Sequence, residues 1–126
     1  MTPMPHLPAA ALDAGIDLDA MRQHADEAVL MLKLLGNSDR LMLLCQLVQQ
    51  ERTVGELERL TGITQPTLSQ QLGVLRREGA VDTRREGKFI WYRLADGRVL
   101  QLMQAMYQLF CAPAHAAPPE VERSEA

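Results

Sequence analysis

From Asp17 to Leu35, apolar residues return every three or four positions, at Met21, Ala25, Ala28, Leu32 and Leu35. That spacing predicts an amphipathic helix. Asp17 or Asp19 can cap its start, and Gly36-Asn37 stops it. Asn37 or Ser38 can open a second helix, with Asp39 in the first turn and Leu41, Leu44, Cys45 and Val48 as the apolar stripe. Thr53-Val54-Gly55-Glu56 has the form of a capping box, Thr at the cap and Glu three residues on. It predicts a short third helix to about Leu60, followed by a tight turn at Thr61-Gly62-Ile63. Thr64 can cap a fourth helix, with Pro66 in a first turn where its missing N–H costs nothing. Leu68, Leu72 and Leu75 give this helix its buried face, and Gly79 ends it.

The period then changes from helical to alternating. Val81, Thr83 and Arg85 interleave with Asp82, Arg84 and Glu86, Gly87 marks a turn beside Lys88, and Phe89 to Leu94 form a second strand rich in β-branched and aromatic residues. Asp96 can cap a last helix reaching about Cys111, with Leu100, Met103, Tyr107 and Phe110 on its apolar side. A two-stranded hairpin is marginal alone, so it must pack on the helices. The order is α-α-α-α-β-β-α: a mainly α fold of five helices plus a two-stranded wing, a winged helix-turn-helix.

A chain of 126 residues suits one domain. Hydrophobic residues make up 47% and aromatics only 4%, so the core must be mostly aliphatic. Residues 1–16, rich in Pro, Ala and Gly, read as a flexible N-terminal segment; residues 17–112 hold the winged-helix domain; residues 113–126, with three prolines, read as a flexible tail. No apolar run approaches the roughly 18 residues that span a bilayer. The first eleven residues carry no basic residue, unlike the front of a signal peptide. A cytoplasmic protein without membrane contact is expected.

The net charge of −3 looks wrong for a DNA binder, but its distribution does not. Acid gathers at the two ends, whereas Arg76, Arg77, Arg84, Arg85, Lys88 and Arg93 form a basic stretch opposed by Glu78, Asp82 and Glu86. Phosphates feel local charge within a Debye length of about 8–10 Å, not the total. Two short helices joined by a glycine-containing turn fit a helix-turn-helix whose second helix enters the major groove of double-stranded operator DNA. Its outer residues Gln65, Thr67, Ser69, Gln70 and Gln71 are uncharged and rich in donors and acceptors. Such side chains read base edges, whereas a merely solvated face favours Glu and Lys. Arg76 and Arg77 can meet phosphates or simply complement the helix dipole. Arg84, Arg85 and Lys88 on the wing can reach phosphates or the minor groove. Trp91 reads as packing under the wing, and Tyr107 and Phe110 as core or dimer contacts. No Ser-His-Asp set, phosphate-cradling glycine loop or paired carboxylates suggest an enzyme, and no cofactor is implied.

These segments together resemble the ArsR family of winged-helix repressors. The resemblance is carried by Leu34 to Leu41, Thr53 to Leu57, Gln65 to Leu72, Leu75 to Gly79 and the hairpin Arg84 to Tyr92, and extends over roughly residues 20–111. It implies a homodimer built from the first and last helices, with two recognition helices in successive major grooves. Many family members release DNA on binding metal through two cysteines on the third helix, or through Asp and His on the last. Here Val54 to Glu58 offer no thiol, and the last helix has Asp96 but no histidine. His6, His24 and His115 lie in the two tails and the first helix, so no metal set is expected. One branch of the family instead carries one cysteine on the second helix and one at the end of the last, where this chain has Cys45 and Cys111. That resemblance implies redox sensing of persulfides or other reactive sulfur species as inducer, through a disulfide or longer sulfur bridge between Cys45 and Cys111. The alternatives are a metal-responsive repressor of the same family and a general peroxide or redox response. Cys45 on its apolar stripe is also compatible with ordinary core packing.

Overall fold

Residues 15–112 are described by the computed structural model, so the tail 113–126 and nearly all of the segment 1–16 lie outside them. Five helices and three strands follow in the order α1 (Leu18–Leu35), α2 (Ser38–Gln49), β1 (Arg52–Thr53), α3 (Val54–Thr61), α4 (Thr67–Arg77), β2 (Val81–Glu86), β3 (Phe89–Leu94) and α5 (Gly97–Phe110). The chain divides into two units, Met1–Lys33 and Leu34–Ala126.

In the first unit, Asp17 caps α1: its Oδ1 accepts from the N–H groups of Asp19 and Ala20 at 3.0 and 3.3 Å. Of the predicted stripe of α1 only Leu35 is buried within this chain. Met21 and Leu32 are exposed, as are Leu18, Val29 and Leu30. No helix among the described residues is long and apolar enough to cross a membrane.

The second unit holds the core. Leu43, Leu44, Leu57, Leu68, Leu75 and Val99 are fully buried, with Leu34, Leu35, Leu47, Leu72, Val81 and Met103 nearly so. Asn37 opens α2, its Oδ1 accepting from Arg40 N–H at 3.0 Å. Helix α2 packs against α3, α4, β3 and α5. With neighbours on several sides, its buried arc is Leu43, Leu44 and Leu47, which shares only Leu44 with the predicted stripe. Leu41 and Val48 are half-buried, and Cys45 is exposed.

The capping box forms as predicted. Thr53 Oγ1 accepts from Glu56 N–H at 3.2 Å, and Glu56 Oε1 accepts from Thr53 N–H at 3.0 Å. Gly62 closes α3 at φ 77°, a left-handed conformation that glycine adopts without strain. Helix α4 starts later than predicted. Thr64 contributes only its carbonyl, accepting from Leu68 N–H at 2.9 Å, and Pro66 takes the cap position without a side-chain bond. The capping is done by Gln65, whose Oε1 accepts from Ser69 N–H at 3.0 Å. The end of α4 is a Schellman motif: Gly79 at φ 81° donates to Arg76 O and Ala80 N–H to Leu75 O.

Strands β2 and β3 pair antiparallel from Val81↔Leu94 to Glu86↔Phe89 across the Gly87-Lys88 turn. A third strand joins them. β1 pairs with β3 through Arg52↔Tyr92 and Thr53↔Trp91, giving the order β1-β3-β2. Two residues are too short to show a period, and Thr53 had already been assigned to a helix cap. Asp96 caps α5, accepting from Arg98 N–H at 2.9 Å. Only the first half of α5 enters the core, through Val99 and Met103. Tyr107 and Phe110, predicted on the apolar side, are 54% and 76% exposed.

Candidate nucleic-acid interface and dithiol site

Helices α3 and α4 with the Gly62 turn form the helix-turn-helix. Leu57 of α3 and Leu68, Leu72 and Leu75 of α4 anchor it to the core. With that face fixed inward, the remaining sides of α4 are available to a partner. Gln65, Ser69 and Gln70 are exposed; Thr67 and Gln71 are half-buried. Two of the three glutamines already have an intramolecular partner. The Gln65 carbonyl caps α4, and the Gln71 carbonyl accepts from the Arg40 guanidinium at 2.9 Å. Arg40 also donates from Nε to Leu34 O at 2.6 Å, so one side chain ties the end of α1 and the start of α2 to α4. Arg76 and Arg77 lie exposed in the last turn of α4, where cations also complement the helix dipole.

The wing separates its basic residues into two kinds. Arg85 and Lys88 are exposed, and no ion pair engages them among the described residues. Arg84 is engaged. It meets Glu51 at 2.8 Å and Glu86 at 3.1 Å, and its guanidinium lies 5.5 Å from the centre of the Trp91 ring. These bonds, that to Glu51 foremost, hold the Arg84 proton more tightly than usual, and the Arg84 bond holds Glu51 below the usual carboxylate range. Arg84 thus braces the wing against the loop before β1. Trp91 is half-buried beneath it, in keeping with packing.

Cys45 on α2 and Cys111 just after α5 are free thiols, and both are exposed. They lie within electrostatic reach of one another: burial of its surroundings pushes the Cys45 thiol up, and the Cys111 charge pushes it further. Cys45 opens on a cavity of about 260 Å³, lined by Val48 and Gln49 of α2 and Met103, Gln104, Tyr107 and Gln108 of α5. Tyr107 is one turn before Cys111, whose N–H donates to Tyr107 O at 2.7 Å. Among the described residues, no three or more His, Cys, Asp or Glu gather as a metal-ligand set.

Arg40 and the glutamines lining the cavity had not been singled out in the sequence. Arg40 stands in a helix's first turn, where its long-range partner 31 residues away leaves no local signal. The cavity glutamines sit among apolar helix positions and become a group only when α2 meets α5.

Known proteins share this fold. Residues 37–83 match the family described as "Bacterial regulatory protein, arsR family". The chain is 56% identical over 103 residues to the biofilm growth-associated repressor of Agrobacterium fabrum, covering 81% of this chain and 88% of that protein. The chain belongs to the ArsR family. The crystal structure of the transcriptional repressor BigR from Xylella fastidiosa superimposes with a TM-score of 0.74 at 51% identity, covering 78% of this chain and all of that one. The homodimeric winged helix-turn-helix DNA-binding domain Mb0332 from Mycobacterium bovis superimposes with a TM-score of 0.59 at 34% identity, over 73% of this chain and 84% of that one. This ArsR-family chain is therefore a winged-helix regulatory protein and not an enzyme.

Proposed function

We propose that this ArsR-family protein is a homodimeric DNA-binding transcriptional repressor that releases operator DNA when reactive sulfur species bridge Cys45 and Cys111. The observation that carries the sensing is that the exposed Cys45 opens on a cavity between α2 and α5 and feels the charge of the exposed Cys111, which follows directly on α5. The DNA-binding half is supported by the polar outer side of α4, the exposed wing cations Arg85 and Lys88, and the relatives named as repressors. The dimer is supported by the homodimeric relative and by the apolar residues that α1 and the end of α5 expose.

The chemistry needs only a persulfide, RSSH. One protein thiolate attacks the outer sulfur, takes it as a protein persulfide and expels RS⁻, which leaves as RSH. The second thiolate attacks the sulfur still bonded to the protein and expels HS⁻. The sum is two thiols plus RSSH giving a disulfide, RSH and H₂S; two protein electrons reduce the donor. A direct disulfide needs Cα atoms about 4.4–6.8 Å apart. With a second RSSH the bridge keeps one extra sulfur, two thiols plus two RSSH giving a trisulfide, two RSH and H₂S; such a bridge relaxes this limit, which would let the protein distinguish polysulfide from peroxide. The bridge would bind α2 to the end of α5. Because α2 packs on α4 and holds Gln71 through Arg40, a shift in α2 reaches the recognition helix. Half-sites lie about 34–36 Å apart, so a small change in the spacing of two such helices lowers affinity.

The test is an operator-binding titration of reduced protein before and after inorganic polysulfide, with peroxide and zinc as parallel arms and intact mass measured on every sample. Release by polysulfide together with a Cys45–Cys111 bridge, both abolished by Cys45→Ser or Cys111→Ser, is the expected result. Tight binding that ignores thiol state overturns the sensing, and release by zinc alone favours the metal-responsive alternative.

A further inference from the structure

We propose that Arg40 helps set which bases the recognition helix reads, by tying up the Gln71 carbonyl and leaving Gln70 as the adenine reader of α4. The inference rests on the DNA-binding reading above but not on the thiol chemistry.

A glutamine reads adenine with both ends of its amide: the carbonyl accepts from N6 and the NH₂ donates to N7. Both ends must lie together on the base edge. The donors already bonded to these glutamines fix which end is used. Arg40 can only donate, so the atom 2.9 Å from it must be the Gln71 oxygen. Likewise the Ser69 N–H, at 3.0 Å, must meet the Gln65 oxygen. Each of these oxygens is directed into the protein. One lone pair of each oxygen is thereby used within the protein and the oxygen is held in place by it, so the group that Gln65 and Gln71 can place freely against a partner is the NH₂, a donor. Donors suit phosphate oxygens or purine N7 and do not single out adenine.

Gln70 differs. It is exposed, and no hydrogen bond engages its side chain among the described residues. At about 3.6 residues per turn it also stands opposite the buried Leu68 and Leu72, on the outermost side of α4. Both ends of its amide are free to meet a base edge. Arg40 is in this sense a positioning residue. Its guanidinium is also anchored to Leu34 O at 2.6 Å, and its planar fork is better suited to hold the Gln71 amide in one orientation than a lysine would be.

The experiment is selection of bound duplexes from a random library by the full-length reduced protein, repeated for Gln70→Ala, Gln71→Glu and Arg40→Met. Helix content and thermal unfolding are checked for each. Wild type is expected to enrich one adenine per half-site that Gln70→Ala no longer distinguishes, a loss of roughly 5- to 150-fold in discrimination at that position. Gln71→Glu keeps an acceptor for Arg40 and removes the donor, so affinity should fall while the Gln70 adenine stays selected. Arg40→Met frees the Gln71 carbonyl, and an adenine preference should appear at a second position. The proposal is overturned if Gln70→Ala keeps the full profile, or if Gln71→Glu alone erases the adenine. A wild-type protein that enriches no sequence overturns the DNA-binding reading and this proposal with it.

Discussion

Replacing Thr53 by Ala tests whether the first helix of the helix-turn-helix is held by its cap. Thr53 Oγ1 accepts from Glu56 N–H at 3.2 Å, and that N–H has no other carbonyl to turn to in the first turn. Loss of a Ser or Thr cap costs about 1 kcal/mol, with a range of roughly 0.5–2. Both residues are half-buried, so water replaces the bond only in part and the upper half of that range is expected. For a domain of about 100 residues, 1 kcal/mol lowers Tm by roughly 4–8 °C. Glu56→Ala removes the reciprocal bond at 3.0 Å and a carboxylate that favours the helix N-terminus. Either change frays the same turn, so the double variant should cost less than the two single costs added, by about 0.5 kcal/mol or more. Urea unfolding followed by helical circular dichroism measures this, at one fixed protein concentration because a dimer's stability depends on it. Thr53→Ser retains the acceptor and should recover most of the loss. The reasoning fails if Thr53→Ala costs under about 0.3 kcal/mol, or if Ser is as harmful as Ala.

Two further outcomes follow from the site. Burial first, and the Cys111 charge second, raise the Cys45 thiol above its ordinary value, so less thiolate is present at neutral pH. Alkylation of Cys45 should then be slower than that of free cysteine at pH 7.5, and should keep accelerating about tenfold per pH unit until pH passes the raised value; Cys111→Ser should speed it only in part. The linked stability has the matching sign: the neutral thiol is favoured in the fold, so its contribution is complete below the ordinary thiol value and is lost as pH rises through the raised one. On the wing, Arg85→Gln and Lys88→Gln should each reduce the slope of log affinity against log salt by about one, if each meets a phosphate. Arg84→Gln should leave the slope nearly unchanged while loosening the wing, because that guanidinium is already shared by Glu51 and Glu86.

What the sequence discloses here is whatever local chemistry decides. Thr53 and Glu56 announce a capping box because both of its bonds lie within four residues. The change from helical to alternating period marks the wing because the strands are six residues long and joined by a two-residue turn. Long-range geometry is what stays hidden. The apolar stripe of α2 was placed one step around the helix because periodicity cannot say how many neighbours a central helix has. The consequence falls on Cys45, which the predicted stripe would also allow as core and which is exposed beside a cavity. Arg84 looked like a phosphate contact because the charge of Arg84 is visible in sequence and its partner Glu51, 33 residues earlier, is not. Thr64 was read as a cap by residue type, whereas Gln65, with a longer reach, makes the bond.

The apolar residues that the single chain leaves exposed on α1 and α5 have a common physical meaning. Leu18, Met21, Val29, Leu30 and Leu32 of α1, and Tyr107, Leu109 and Phe110 at the end of α5, carry helical spacing suited to packing yet are exposed in the single chain. Large exposed apolar patches are uncommon on proteins that act alone. The pattern is legible if these residues encode an interface that a second copy covers, as the proposed homodimer requires. Cys111 follows directly on that part of α5. A bridge between Cys45 and Cys111 would then act at the edge of the dimer contact as well as on α2. By linkage, any preference of DNA for the unbridged form must appear equally as a resistance of the DNA-bound protein to bridging. A DNA complex whose cysteines bridge at the same equilibrium as those of the free protein would show that the two sites are not coupled, however well each works alone.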